Sequence, residues 1–437
     1  MIFVIVGPTY LFSLIYLLDL QAMNTKVLQP ITTNMSFDNT DIAFAHLSND
    51  DLKQSHWLFG LMGKPWLVNL GVKLTPWAIK AGLPVKGIIR KTIFRHFVGG
   101  ETMEASIPAI EKMAQYHVQV ILDYGVEGKQ GEANYDHARD EFIRVINFAS
   151  TQDNVPFMSV KVTGIARFGL LERLDSLMHM SPTDSLIKKY NDALAKLSNE
   201  ERAEWQRVCD RFDLICKAAD KANVGFLVDA EETWIQDPVD ALTMLMMDSF
   251  NKEKLVIYNT LQLYRHDRVE FLKQCFKAAE ERNFFLAVKL VRGAYMEKER
   301  KRAQEKGYPS PIQPDKQSTD NDYDEAVRFC IEHYDRIGVI VASHNERSNL
   351  LATQLMDKEG LSHDHPHVHF SQLYGMSDNI TYNLAAAGFS VSKYLPFGPI
   401  KDVVPYLMRR AEENTSVGGQ TSRELSLIEK ELKRRAI

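Results

Sequence analysis

The chain reads as an α/β protein built on a (β/α)8 barrel, and three observations point there. Eight short apolar runs, at 118–123, 156–162, 224–229, 255–258, 284–291, 338–343, 368–371 and 391–395, alternate with helical stretches. The runs are nearly continuous in apolar residues, as strands covered by helices on both sheet faces require. No G-x-G-x-x-G follows any of them, which removes the usual mark of an open, doubly wound dinucleotide sheet. A right-handed crossover repeated eight times closes a parallel sheet on itself.

Residues 1–22 come first. Ile2 to Leu18 carries no charge, but Gly7 and Pro8 interrupt it, and it lacks a Lys or Arg start. It could be a membrane anchor, a poor signal peptide, or sequence upstream of a start at Met23. The polar stretch 24–51 favours the last. Residues 23–115 form an N-terminal helical region in which Trp57, Trp66 and Trp77 supply bulky core or packing groups. The barrel takes 116–437. Helical patterns at 136–150, 269–282, 323–337 and 345–358 fall between its strands. An insertion over 180–220, between the second and third strands, reads as two amphipathic helices, 186–197 and 200–219. The second opens on a Ser198-x-x-Glu201 capping box, and the pair is expected as a helical hairpin on the barrel's outside. Residues 308–315 read as a loop after the fifth strand. Residues 423–435 read as a charged amphipathic helix covering either the mouth or a partner.

Composition excludes several classes. With 45% hydrophobic and 25% charged residues the chain is an ordinary globular protein. Its net charge of −5, with no basic stripe interleaved with aromatics, argues against nucleic acid as a partner. The basic residues of 298–302 alternate with an acid and suit a solvated helix face. Cys209, Cys216, Cys275 and Cys330 are spaced for neither a zinc site nor a disulfide framework, which points to a reducing, cytoplasmic setting. His363, His365, His367 and His369 alternate on an extended segment and could bind a metal. Pro366 interrupts them, however, and they precede the seventh strand, at the barrel end opposite the chemistry. No metal is expected.

The strand ends carry the chemistry. The second run ends in Lys161, the third in Asp229, and the fifth in Arg292 and Tyr295. The sixth ends in Ser343-His344-Asn345 and the eighth in Tyr394. In a (β/α)8 barrel these converge on one mouth. Arg409-Arg410 follow on the final barrel helix, with Glu413 one turn on, which suits one arginine held by an ion pair and one presented to an anion. The cations Lys161, Lys289, Arg292, Arg409 and Arg410 suit a carboxylate substrate, a phosphate-bearing cofactor, or both. Asp229 alone sits squarely at a strand end as a carboxylate, with Glu231 and Glu232 following. No glycosidase-type carboxylate pair, nucleophile elbow or Cys–His pair can be placed, so an organic cofactor is expected to do the electronic work. Each residue also has a structural alternative. Asp229 or His344 could cap a helix, Lys161 could snorkel, Arg409 and Arg410 could face water, and Tyr295 and Tyr394 could be core aromatics.

Six segments together resemble the signature segments of the proline dehydrogenases. They are Val228-Asp229-Ala230-Glu231-Glu232, Lys289-Leu290-Val291-Arg292-Gly293-Ala294-Tyr295, Lys316-x-x-Thr319-Asp320-x-x-Tyr323, Ser343-His344-Asn345, Gln372-Leu373-x-Gly375-Met376 and the run from Tyr406 to Asn414. They fall in the family's order and cover roughly 99–417. The resemblance implies a distorted barrel that binds FAD non-covalently and oxidises L-proline to Δ1-pyrroline-5-carboxylate. It also implies that electrons pass to a membrane quinone, with peripheral contact at the membrane's inner face.

By the same resemblance, Arg409, Arg410 and Lys161 would hold the proline carboxylate. Asp229 would sit near the substrate amine and the flavin, and Tyr295, Leu373 and Tyr394 would wall the ring. Tyr394 would crowd a 4-hydroxyl and so favour proline over hydroxyproline. Gln262 would meet the isoalloxazine, and Lys289, Val291, Arg292, Gly293 and Ala294 would run beneath the cofactor. Lys316, Thr319, Ser343, His344, Asn345 and Glu413 would reach its ribityl, phosphate or adenosine parts, with Arg410 alongside. Glu101 would pair with Arg409 as a gate. Lys289 stands where the bacterial bifunctional enzymes have arginine, Met296 replaces an aromatic, and the segment after Asn414 is shorter. Another cyclic imino acid as substrate, such as hydroxyproline or pipecolate, and a non-catalytic flavin or proline sensor are the competing readings.

Overall fold

The computed structural model describes residues 35–437 apart from 65, 67, 69, 70, 72–85, 126–129 and 417–419. Residues 1–22 and Trp77, and the side chain of Glu413, lie outside the described residues. Eight strands close into one barrel in chain order: β1 (Gln119–Tyr124), β2 (Phe157–Val160), β3 (Gly225–Val228), β4 (Ile257–Gln262), β5 (Leu286–Val291), β6 (Ile337–Ala342), β7 (Val368–Leu373) and β8 (Val391–Phe397). All pairings are parallel, β8 closing onto β1 with Tyr394 opposite Ile121.

Strand limits differ from the sequence reading for physical reasons. β2 stops at Val160 because Val162–Gly164 winds into a 3-10 turn. β4 runs on to Gln262, because Asn259, Thr260 and Gln262 are buried polar residues that break the apolar run without breaking the strand. The bore holds Ile121, Leu227, Tyr258, Ala287, Ile340 and Tyr394, with Phe157 and Leu373 packed against them. A larger cluster between strands and helices forms the outer core.

Three helices lie between β2 and β3: Phe168–His179, Leu186–Ala195 and Asn199–Ala222. The expected capping box is present, Glu201 N donating to Ser198 Oγ at 3.1 Å and Ser198 N to Glu201 Oε2 at 2.9 Å. Trp205 Nε1 on this helix donates to Tyr190 OH on the 186–195 helix at 2.7 Å, across the short turn that joins the two. The capped helix buries Trp205, Val208, Phe212, Ile215 and Ala219 at helical spacing and packs on β3 and the Glu132–Ala149 helix, as a crossover helix of the ring does. The 168–179 and 186–195 helices pack on each other and on the Thr233–Phe250 helix.

One correction concerns the tryptophans. Trp57 and Trp66 are 53% and 66% exposed, not core. The Asn49–Met62 helix turns Leu52, Ser55, Phe59 and Met62 inward, and Trp57 falls off that face. The final helix, Gln420–Arg434, sets Leu427 and Ile428 against Ala43, Phe44, Leu52 and Phe59. The histidine run meets separate partners: His363 Nδ1 the Ala387 carbonyl at 2.8 Å, His367 Nδ1 the Tyr334 carbonyl at 2.6 Å, and His369 Nε2 the Ser392 hydroxyl at 3.0 Å. Among the described residues no helix is long and apolar enough to cross a membrane.

Candidate active site

Strand alternation decides which side chains reach the mouth. Counting by two from the bore residues Leu227, Ala287 and Tyr394 puts Asp229 and Lys289 inside as well. Val160 lies opposite Val228, so Lys161 and Asp229 come next to each other on neighbouring strands. The structure brings these residues together. Lys289 Nζ donates to Asp229 Oδ1, Tyr394 OH donates to Asp229 Oδ2 at 2.7 Å, and Lys161 Nζ lies 3.8 Å from the same oxygen. Asp229 therefore does not cap a helix; the helix that follows is capped at Glu232. Burial alone would push the Asp229 carboxyl up, but Lys289 and Lys161 outweigh it and hold it below the usual carboxylate range. Tyr394 is buried against Asp229 with Ser159 Oγ 3.3 Å from its hydroxyl, and burial raises that hydroxyl's pKa strongly.

A second buried carboxylate lies beside this group. Glu231 accepts from Thr163 N at 3.2 Å and Thr163 Oγ1 at 2.6 Å, and Gln262 Nε2 donates to its carbonyl at 2.7 Å. Burial pushes its carboxyl up to about 7. Tyr295 stands over the same corner. Burial and then Glu231 raise its hydroxyl's pKa, while Lys161 and Arg409 oppose them, so both cations act at this point. Leu373 is part of the bore wall.

The ends of β5 and β6 form the other side of the mouth. Arg292 is held on three sides, by Asp320 at 2.7 Å, Ser343 Oγ at 2.8 Å and Ser348 Oγ at 2.9 Å, and its guanidinium lies over the Tyr323 ring at 4.2 Å. Lys316 pairs with the same Asp320, and Thr319 Oγ1 bonds back to the Asp315 carbonyl at 3.2 Å. Gly293 has φ +126°, and a Cβ there would lie 2.5 Å from the Tyr264 ring, so both backbone and packing demand glycine. Gly293 and Ala294 are exposed and Val291 half-buried, which leaves a stretch without large side chains between Arg292 and Tyr295. Asn345, not His344, caps the Glu346–Lys358 helix, its Oδ1 accepting from Ser348 N at 3.3 Å. His344 Nδ1 meets Ser377 Oγ at 2.9 Å; burial, with Lys393, Arg410 and Arg292 nearby, pushes this ring down to about 3 and keeps it neutral.

Arg409 and Arg410 lie on the Ile400–Ser416 helix. Arg410 is buried rather than solvent-facing, over the Tyr406 ring at 4.9 Å, and its charge is felt at His344. Glu101, which the resemblance pairs with Arg409, makes its ion pair with Arg90.

Three participants were not singled out from sequence as site residues: Ser159, Asp320 and the buried Glu231. Alternation from Lys161 would have found the first and the four-residue step from Lys316 the second. Burial of the third is visible only in three dimensions. The basic 298–302 stretch is also more than a solvated face: Lys298 pairs with Glu232, and Arg302 lies 2.5 Å from Glu172. Among the described residues, the one group of three side chains able to hold a metal is Asp175, His179 and Asp237, away from the strand ends. There His179 Nδ1 already lies 2.9 Å from the Asp175 carbonyl and 3.3 Å from its carboxylate, an ion pair at a helix end.

Fold and mouth together define a (β/α)8-barrel enzyme whose strand ends gather cations around one buried aspartate. The family model described as Proline dehydrogenase matches residues 106–423, and the chain belongs to that family. It is 32% identical to "Proline dehydrogenase 1, mitochondrial" of Arabidopsis thaliana, over 95% of this chain and 91% of that one. It is also 32% identical to the hydroxyproline dehydrogenase of Xenopus laevis, over 84% and 80%. Among solved structures, proline utilization A from Bdellovibrio bacteriovorus inactivated by N-propargylglycine superposes with a TM-score of 0.65 at 20% identity. That match covers 87% of this chain and 36% of the other, and it speaks for the fold alone.

Proposed function

We propose that the chain oxidises L-proline to Δ1-pyrroline-5-carboxylate with bound FAD and passes the electrons to a membrane quinone. The observation that carries this is Asp229, ionised at the end of the bore between Lys161, Lys289 and Tyr394, with Arg409 acting at the same corner. The residues fit a flavin. The exposed Gly293-Ala294 end of β5 leaves room for a flat ring, and Lys316, Arg292, His344 and Asn345 offer donors along one rim. FAD, when bound, supplies the acceptor for the hydride leaving the carbon next to the proline nitrogen.

The chain's own residues do the rest. Arg409 and Arg410, with Lys161, hold the substrate carboxylate; a planar guanidinium matches it in two-point geometry. The Asp229 charge favours the substrate's amine and the positive charge that grows as hydride departs. Tyr295, Leu373 and Tyr394 wall the ring, and the Tyr394 hydroxyl fills the space that a 4-hydroxyl would need. Gln262, Lys289, Val291, Arg292, Gly293 and Ala294 would hold the isoalloxazine. Ser343, Thr319, Lys316 and Glu413 would hold the rest of the cofactor. Since Arg292 and Lys316 share Asp320, an anion bound there competes with that carboxylate. Glu101 closes the site by exchanging Arg90 for Arg409.

The test is an anaerobic visible spectrum of the purified protein before and after substrate. Bleaching of a flavin band by L-proline, with little response to hydroxyproline, is the expected result. Preferential bleaching by hydroxyproline would favour the reading that the Xenopus relative supports. A flavin band unmoved by any cyclic imino acid would leave a sensor, and absence of flavin after FAD is supplied would overturn the assignment.

A further inference from the structure

The Gln420–Arg434 helix lies almost wholly past the family match, which ends at 423, yet it reaches the loop beside the mouth. Its Glu424 is 4% exposed, and the carboxylate accepts the backbone N–H of Ser377. Ser377 precedes the Asp378–Ala386 helix at φ 52°, in the left-handed region that serine does not readily adopt. Its hydroxyl lies 2.9 Å from His344 Nδ1, while His344 Nε2 has no hydrogen-bond partner among the described residues.

The surroundings hold this arrangement firmly. Asp378, next to Ser377, pairs with Lys393 at 2.7 Å and His46 at 3.3 Å, and Glu346 pairs with Arg423 at 2.8 Å. The helix itself is fixed by Leu427 and Ile428 in their apolar cluster. Arg435 just beyond it donates to the Phe44 and Leu47 carbonyls at 2.8 and 2.9 Å.

We infer that Glu424 is a positioning residue for the cofactor side of the mouth. By holding the Ser377 amide it fixes the serine hydroxyl against His344, and through it the imidazole presented to FAD. The inference rests on the proposed FAD contact of His344. The Glu424 carboxyl takes the place of water for this buried amide, and its loss would leave the Ser377 N–H without that acceptor. Partners that orient a ligand-contacting histidine commonly matter tenfold or more, as metal sites show.

The experiment titrates apoprotein with FAD, followed by flavin fluorescence, in the wild type and in Glu424→Ala, Glu424→Gln, Ser377→Ala, His344→Ala and the His344→Ala/Glu424→Ala double variant. Glu424→Ala should weaken FAD binding about tenfold. Glu424→Gln, whose amide oxygen still accepts the Ser377 N–H, should stay within about threefold of wild type. Ser377→Ala, which leaves the backbone bond intact, should weaken binding as Glu424→Ala does. In the His344→Ala background Glu424→Ala should add little, because the route is gone. At saturating FAD the KM for proline should not move. Wild-type affinity in Glu424→Ala or Ser377→Ala, or an equal loss with and without His344, would overturn the inference while leaving the proposed function standing. A wild type that binds no FAD would overturn both.

Discussion

Asp229 remains ionised inside the barrel because lysines from two other strands reach it. Removing it leaves Lys289 buried and Lys161 half-buried without their shared counter-charge. Breaking one side of a buried pair costs more than the pair contributes. Asp229→Ala should therefore lower unfolding free energy by about 3 kcal/mol, read by urea unfolding at neutral pH. Arg410→Met should raise the apparent proline constant about tenfold or more while flavin content stays near wild type, since a two-point carboxylate contact is lost. Loss of flavin with unchanged proline affinity would remove Arg410 from the carboxylate clamp.

Glu231 gives a pH test. Its folded carboxyl is raised to about 7 from an ordinary 4.5 by burial. Between those values the folded chain keeps a proton that the unfolded chain has lost, so the residue's contribution is complete below pH 4.5 and disappears as pH rises through 7. Comparing wild type with Glu231→Gln, the stability difference should move against wild type by on the order of 3 kcal/mol from pH 4.5 to 7.5. A flat difference would mean that folding leaves the Glu231 carboxyl's proton affinity unchanged.

At the scale of elements, the end of β5 is the vulnerable point. Gly293 combines a positive φ with direct contact against Tyr264, so Gly293→Ala must both strain the backbone and displace the ring. A loss of about 1–3 kcal/mol is expected, together with weaker FAD binding, because the stretch between Arg292 and Tyr295 is where a flat cofactor would lie. Melting temperature and an FAD titration check the two effects separately. The Asn199–Ala222 helix shows what patterning delivers and what it leaves open. Its cap and apolar face were readable, whereas the neighbours that bury that face, β3 and the Glu132–Ala149 helix, were not.

At the scale of the whole molecule, the barrel and its helices enclose the thiols. Cys216, Cys275 and Cys330 are buried and Cys209 half-buried, and burial pushes the Cys209 thiol up to about 11. A thiolate, not a thiol, attacks a disulfide reagent. The native protein should therefore react slowly with an aqueous aromatic disulfide, and all four thiols should react once it is unfolded in denaturant. Rapid native labelling would show that the helical layer opens readily.

The sequence alone determined the eight-strand order, the convergence of Lys161, Asp229 and Tyr394 on one mouth, and the family. Strand alternation and apolar runs are local properties that a linear chain displays. Only the tertiary structure decided that Trp57 and Trp66 face solvent, that Arg292 reaches Asp320, and that Glu231 is buried beside the site. It alone also tied Glu424 to His344 through Ser377. Those facts depend on contacts between residues far apart in the chain, or on burial supplied by other elements. The local pattern around each residue carries no trace of them.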